Sequence, residues 1–254
     1  MDTSSLLKGL RFVDSFFPSG GYAFSSGLEA AVQGGAVRNA EELSRYVVES
    51  LTTGIGEREA VAVGVAHDAC VSGILEIALK ADQELEAMKL GRESRTASRQ
   101  MGRQTLRVAA ALTGEARLVR YAADVDGGLA PGHHAVAYGL AASALGWAPE
   151  EAATAYLYST TALLVGAALR LLSMGQMEGQ RVLWGLHAVI ERVARESAAR
   201  DAGDLWSFAP GIELALDPPS EPQCRRGAHR SPRTAVRTSL SYALVDEGLK
   251  QATA

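Results

Sequence analysis

The sequence predicts an all-α fold: a single-domain helical bundle of about nine or ten helices followed by a divergent basic C-terminal tail. Three observations predict it. Alanine and leucine dominate while runs of β-branched residues are rare. Apolar residues recur at helical spacing in most segments. The joints between segments are short and carry Gly, Pro or Asn as stop and start signals. With 47% hydrophobic and 21% charged residues over 254 positions, the chain can bury a sizeable core and is not globally disordered.

The first helix spans Ser4 to Phe16 and is stopped by Pro18-Ser19-Gly20-Gly21. A second runs from Phe24 to Val32 and ends at Gly34-Gly35. Asn39 caps a third, with Glu41 and Glu42 in the first turn, where the helix dipole favours negative charge, and Leu43, Tyr46, Val47 and Leu51 on one face. Arg58 to Ala69 is apolar almost all round and reads as a central buried helix. Ile74–Leu90 and Arg92–Leu112 are longer and more charged. No helix is assigned between Leu112 and Pro131, and Pro131 opens the helix that runs to Leu145. Pro149-Glu150-Glu151 opens another, reaching about Leu172. Gln180 to Ala199 is the clearest amphipath, with Val182, Leu186, Val189, Ile190 and Val193 in one stripe.

Composition changes near the end. The expected division is a helical domain over residues 1–217 and a Pro/Arg-rich tail over 218–254. The tail holds six Lys/Arg against three Asp/Glu, a net +3 within a chain whose total is −4. Its lack of periodicity suits a mobile segment, with a short helix expected over Ser239–Lys250.

Charge and cysteine usage narrow the function classes. A net charge of −4 is a poor field for sequence-independent nucleic-acid binding, so no nucleic-acid partner is expected. Cys70 and Cys224 form neither a disulfide framework nor a CxxC pair, which suits a reducing, cytoplasmic setting. Asp2, Lys8, Arg11 and Asp14 interrupt the N-terminal segment, unlike a signal peptide. The apolar stretch Ala155–Leu169 contains Ser159, Thr160 and Thr161 and ends at Arg170. It falls short of the roughly 20 residues that span a bilayer, so no membrane contact is expected.

Few constellations suggest chemistry. The Gly20-Gly21 turn before a helix can present N–H groups to an anionic ligand, or be a tight helix-to-helix turn. It lacks the strand and the Gly-Lys-Ser/Thr of a nucleotide loop. His133 and His134 are adjacent and point about 100° apart if helical, a poor chelating pair. His67 and Cys70 share a face of an apolar helix and read as core. Cys224 and His229 in the tail lack further ligands. Ser25 and Ser26 have no GxSxG context, and Glu57 and Glu59 read as solvated carboxylates. Ser98–Arg107 presents a cationic face flanked by Met101 and Leu106, suited to a partner or to solvent. From the residues themselves no catalytic site and no metal site are assigned.

Five blocks carry a resemblance. They are Phe17-Pro18-x-Gly20-Gly21-Tyr22-x-Phe24-Ser25-x-Gly27-Leu28-Glu29; Arg99-Gln100-Met101-Gly102-Arg103; His134-x-Val136-x-x-Gly139-Leu140-Ala141-Ala142 up to Gly146; Ala168-x-Arg170-Leu171 with Gly175-Gln176 and Gly179-Gln180; and Leu205-x-Ser207-Phe208-Ala209-Pro210. In this order they resemble the urease accessory proteins of the UreF family. The resemblance implies an all-helical, non-catalytic protein that forms a homodimer and binds UreD (UreH in some species) and the GTPase UreG. The complex docks on apo-urease and promotes nickel insertion; the nickel is handled by the complex, and no cofactor is implied for this chain. Tyr22 and Glu29 are the candidate contacts on the N-terminal turn, together with Pro18, Gly20, Gly21, Ser25 and Gly27. Gly102, Arg170, Gln176 and Gln180 are the further partner-binding candidates. The sequence departs from the family pattern after Asp217, where Pro218-Pro219 replaces the usual C-terminal stretch. The alternative reading is a helical enzyme or binding protein that uses the Gly20-Gly21 turn to hold an anion.

Overall fold

A computed structural model describes residues 3–14, 17–21 and 24–205. Its α-helices are α1 (Thr3–Val13), α2 (Leu28–Gln33), α3 (Ala40–Ser50), α4 (Val61–Ser72), α5 (Leu75–Met88), α6 (Arg92–Thr113), α7 (Ala116–Asp126), α8 (His134–Ala144), α9 (Pro149–Leu171), α10 (Gln176–Gly185) and α11 (His187–Ala198). Among the described residues there is no strand, so the expected all-α bundle is the fold observed. The tail over 218–254, with Cys224, His229 and the expected helix at 239–250, lies outside the described residues, as does all but Leu205 of the last resemblance block.

Caps and breakers act largely where the sequence places them. Asn39 accepts from the Glu42 backbone N–H at 3.0 Å, and Pro149 occupies the first turn of α9. Four places differ. The α3 and α4 spans are continuous through a π-helical segment, Leu51–Ala60. Here Ser50, Thr52 and Thr53 donate their hydroxyls to the carbonyls of Tyr46, Val48 and Glu49. Such back-bonding competes with the α ladder, and the wider turn brings the Leu51 carbonyl against Gly56, where a Cβ would sit 2.2 Å from it. Helix α7, absent from the sequence assignment, buries Leu118, Tyr121 and Val125 at i, i+3 and i+7. The expected single helix over Gln180–Ala199 is broken at Leu186, and Val182 of α10 and Ile190 and Val193 of α11 still share one core. Pro131 precedes rather than opens α8, whose cap is His133.

Two apolar cores result. One gathers residues of α1 and α4 to α8, among them Phe12, Val63, Leu85, Leu106, Tyr121 and Leu140. The other gathers α2, α3, α9, α10 and α11 around Leu28, Leu43, Val47, Leu157, Leu164 and Ile190. Helix α9 serves both, giving Tyr156 to the first and Leu157 to the second, and Ile55 of the π segment packs on both. By length and composition α9 is apolar enough to cross a membrane. In this fold its apolarity is used by packing, since half of that stretch is buried against its neighbours.

The α4–α8 pair makes the most extensive helix contact. Both helices are buried nearly all round, and a Cβ at Gly139 would lie 2.2 Å from the Val63 carbonyl oxygen. Gly166, in α9, has nothing within 4 Å of its would-be Cβ. Urea denaturation is therefore expected to show Gly139→Ala destabilised by about 1–3 kcal/mol and Gly166→Ala stabilised by about 0.5–1 kcal/mol. Equal effects at the two sites would refute the close α4–α8 crossing.

Candidate functional site

Where the two cores meet, a cavity of about 390 Å³ opens between the turn after α1, the π segment, α6 and α9. Its floor holds ionisable groups that the sequence assigns to no site: Arg58 and Glu59 from the π segment, Lys89 from the end of α5, His134 from the start of α8 and Tyr156 from α9. Arg58, Lys89, His134 and Tyr156 are buried, and the Glu59 side chain is only 13% exposed. Glu59 is thus not the solvated carboxylate its sequence context suggests. The Lys89 ammonium donates to one of its oxygens, and the Tyr156 hydroxyl donates to the other at 2.6 Å.

Burial by itself raises the Glu59 pKa. The charges of Lys89 and Arg58, with the hydrogen bonds from Lys89 and Tyr156, outweigh that and hold it down at about 2. Tyr156 moves the opposite way, well above the usual phenol value, through burial and the neighbouring carboxylate. His134 packs against the tilted ring of Tyr156 and edge-on to Tyr138, with ring centroids 5.3 and 5.9 Å away. Its burial, reinforced by Lys89 against the opposing pull of Glu59, lowers its pKa to about 4.

A second polar network lies behind the first. The buried Asp82 carboxylate accepts from the Gly132 and His133 backbone N–H groups at 2.7 and 2.8 Å and from the Tyr121 hydroxyl at 2.9 Å. His133 meets Glu86 through Nε2 at 2.9 Å and Ser98 through Nδ1 at 3.1 Å. A neutral ring with its proton on Nε2 satisfies both, donating to Glu86 and accepting from the Ser98 hydroxyl. Burial and the Lys89 charge keep that ring neutral against the pull of Glu86, with a pKa of about 4. The two histidines thus point into different networks. Among the described residues no group of three or more His, Cys, Asp or Glu side chains is placed to hold a metal ion.

The residues singled out in the sequence divide among three places. Gly21, Ser25, Gly27 and Glu29 line the cavity, Glu29 as an exposed side chain. Gly21 is buried, and its N–H donates to Ser19 Oγ at 3.3 Å rather than facing outward for an anion. Pro18 and Gly20 are exposed beside it, Gly20 with φ of 77°, a left-handed turn that suits glycine. Tyr22 lies outside the described residues. Gly102 is buried in α6, where a Cβ would sit 2.1 Å from the Gly132 carbonyl oxygen, so its smallness lets α6 approach the start of α8. Arg170, Gln176 and Gln180 are exposed at the α9–α10 junction. With them on α10 stand Met177 and Trp184, 67% and 75% exposed, and the Trp184 ring packs on His187 at 4.9 Å. His67, as expected, is a core residue, its Nε2 meeting the Trp147 carbonyl oxygen at 2.7 Å.

Comparison with known proteins bears on this arrangement directly. The model of the UreF family matches residues 37–187, more than half of the chain. This chain belongs to the UreF family. It is similar to the urease accessory protein UreF of Photorhabdus laumondii, 30% identical over 84% of this chain and 93% of that protein. UreF of Trichodesmium erythraeum is also 30% identical, over 84% of this chain and 92% of that protein. UreF of Paenarthrobacter aurescens is 31% identical over 81% and 89%. UreF membership places the chain among urease accessory proteins, and the matched span contains the π segment, both polar networks and the exposed face of α10.

Two measurements test the polar networks. Lys89→Met leaves the buried Glu59 carboxylate without its cation and is expected to cost about 3–5 kcal/mol, with most of that recovered in Lys89→Met/Glu59→Leu. An additive double mutant in urea unfolding would mean the pair is not coupled. The folded pKa of His134 lies below its ordinary 6.5, so the unfolded chain binds the proton more readily. Its contribution is complete above pH 6.5 and is lost as pH falls toward 4. His134→Phe is expected to flatten the stability profile in that window by an amount on the order of 2 kcal/mol; an unchanged slope would remove His134 as its cause.

Proposed function

We propose that this UreF-family chain is a non-catalytic urease maturation protein. It binds UreD/UreH and the GTPase UreG as a cytoplasmic homodimer, and the assembly promotes nickel insertion into apo-urease. Nickel is the cargo of the assembly in this reading rather than a resident cofactor of this chain. The observation that carries it is the UreF match over residues 37–187.

The geometry supports the same reading in two ways. The buried ionisable groups are engaged with one another: Glu59 with Lys89 and Tyr156, Asp82 with the start of α8, His133 with Glu86 and Ser98. Burial and the neighbouring charges hold the Glu59 pKa at about 2 and lower those of His133 and His134 to about 4, away from neutrality, which suits holding helices together better than moving protons. By contrast α10 offers Met177, Gln180 and Trp184 at i, i+3 and i+7, an exposed anchor pattern that fits a protein partner. Arg170 and Gln176, from the same junction, are exposed beside it and can supply polar contacts at its rim.

The test is reconstitution. The full chain is expressed with urease structural proteins, UreD/UreH and UreG in a host lacking its own UreF. The expected result is co-purification with UreD/UreH and UreG and restored urease activity. Met177→Glu/Trp184→Glu is expected to weaken capture of UreG or of the second copy at least about tenfold with an unchanged melting temperature, since both side chains are exposed. A wild-type chain that binds neither partner and restores no activity would overturn the proposal.

A further inference from the structure

The α6–α7 face carries a second surface, on different helices from the α10 anchors and apart from the central cavity. Residues 92–107 contain Arg92, Arg95, Arg99, Arg103 and Arg107 against the single carboxylate Glu93, in a chain of net charge −4. The four-residue spacing from Arg95 to Arg107 sets these side chains along one side of α6. Arg95 turns back to the Lys89 carbonyl oxygen at 2.7 Å. Arg99, Arg103 and Arg107 remain exposed.

The exposed arginines are loosely held. Arg99 meets Glu86 at 3.5 Å and Arg103 meets Asp126 at 3.6 Å, with Asp126 itself 71% exposed. Arg107 makes no ion pair within the described residues. Exposed pairs of this kind contribute little to stability, so an incoming carboxylate can replace the internal one without loss to the fold.

Beside the arginines lies an apolar groove of about 270 Å³ between α6 and α7. Leu106 and Val125 form its buried floor, Ala110 and Ala122 are half-buried, and Val119 stands 49% exposed on its wall. Arg103 and Arg107 stand on its rim, with the exposed Asp126 beside Arg103. From Arg103 to Ala110 the groove follows α6 for about 10 Å, two helical turns.

We propose that this groove docks an acidic amphipathic helix of a partner protein. The partner's apolar stripe rests on Ala110, Val119 and Ala122, and its flanking carboxylates pair with Arg103 and Arg107. An apolar floor with a cationic rim is the complement of a helix bearing leucines at i, i+3 and i+7 between glutamates. A nucleic acid fits less well, because the floor offers its phosphates nothing and Asp126 and Glu86 stand among the arginines.

Binding is measured by fluorescence anisotropy with the full chain and two labelled synthetic helices of about four turns. Both carry leucine at the stripe positions; one is flanked by glutamate and the other by lysine. The glutamate helix is expected to bind at least about tenfold more tightly, with affinity falling as salt rises. Arg103→Glu/Arg107→Glu is expected to reverse the preference, and Val119→Asp to weaken both helices, at unchanged melting temperature. Equal binding of the two helices, binding of neither, or insensitivity to the arginine variant would overturn the proposal. So would a short DNA duplex that displaces the glutamate helix and binds more tightly than it does. Because no urease partner is used, failure here is distinct from failure of the accessory role.

Discussion

A buried carboxylate under the start of one helix fixes much of this molecule. Asp82 projects from α5 and accepts the Gly132 and His133 N–H groups at the entry to α8. The same carboxylate accepts the Tyr121 hydroxyl from α7. One side chain thereby ties α5, α7 and α8, and His133 extends the tie to Glu86 and to Ser98 of α6. Burial raises the Asp82 pKa while these hydrogen bonds oppose the rise. The helix dipole adds its own preference for negative charge at that point. Gly102 completes the joint, because any side chain there would strike the backbone of residues 132–134.

The second constraint is the π segment. Its extra width sets Arg58 and Glu59 toward the interior, where a helix of regular pitch continuing from α3 would place them at another angle. Once inside, Glu59 requires a cation and a donor, and Lys89 and Tyr156 supply them from α5 and α9. Helix α11 fastens the segment from outside, where Ser197 donates to the Gly56 carbonyl at 3.0 Å. The cavity between the two cores follows from this arrangement. Its walls are helices held apart by paired polar groups, and the turn after α1 closes one side.

For a UreF-family protein this division of labour is physically coherent. Satisfied polar networks rigidify the interior, and rigid helices then present side chains to partners at low entropic cost. Exposed apolar side chains include Leu6, Leu7 and Leu10 on α1, Met177 and Trp184 on α10, and Val71, Ile74 and Ile77 around the α4–α5 joint. The cationic groove adds a surface of a different character, apolar at its base and charged at its edge. A scaffold with several chemically distinct faces can hold several proteins at once without their competing for one site.

The helices were legible because amphipathic spacing, Asn39, Pro149 and the glycines act locally, within a turn or two of themselves. The five resemblance blocks carried the family before any contact was known. Helix α7 leaves only a short signal in the sequence, Leu118, Tyr121 and Val125, an apolar stripe set among charges. The break at Leu186 was hidden because the amphipathic stripe continues across it. What the sequence could not determine is which charged residues go inside. Glu59 and Asp82 sit in helices, and Lys89 just past one, where the composition permits solvent exposure, and nothing local distinguishes them from Glu57 or Lys80. Their burial is decided by groups 30 to 97 positions away, at Lys89 and Tyr156 for Glu59 and at residues 121–133 for Asp82. A charge is stable in the interior only when such partners are already in place. The sequence by itself determined the helices and the family; the pairing of distant charges, and with it the site, belongs to the tertiary structure.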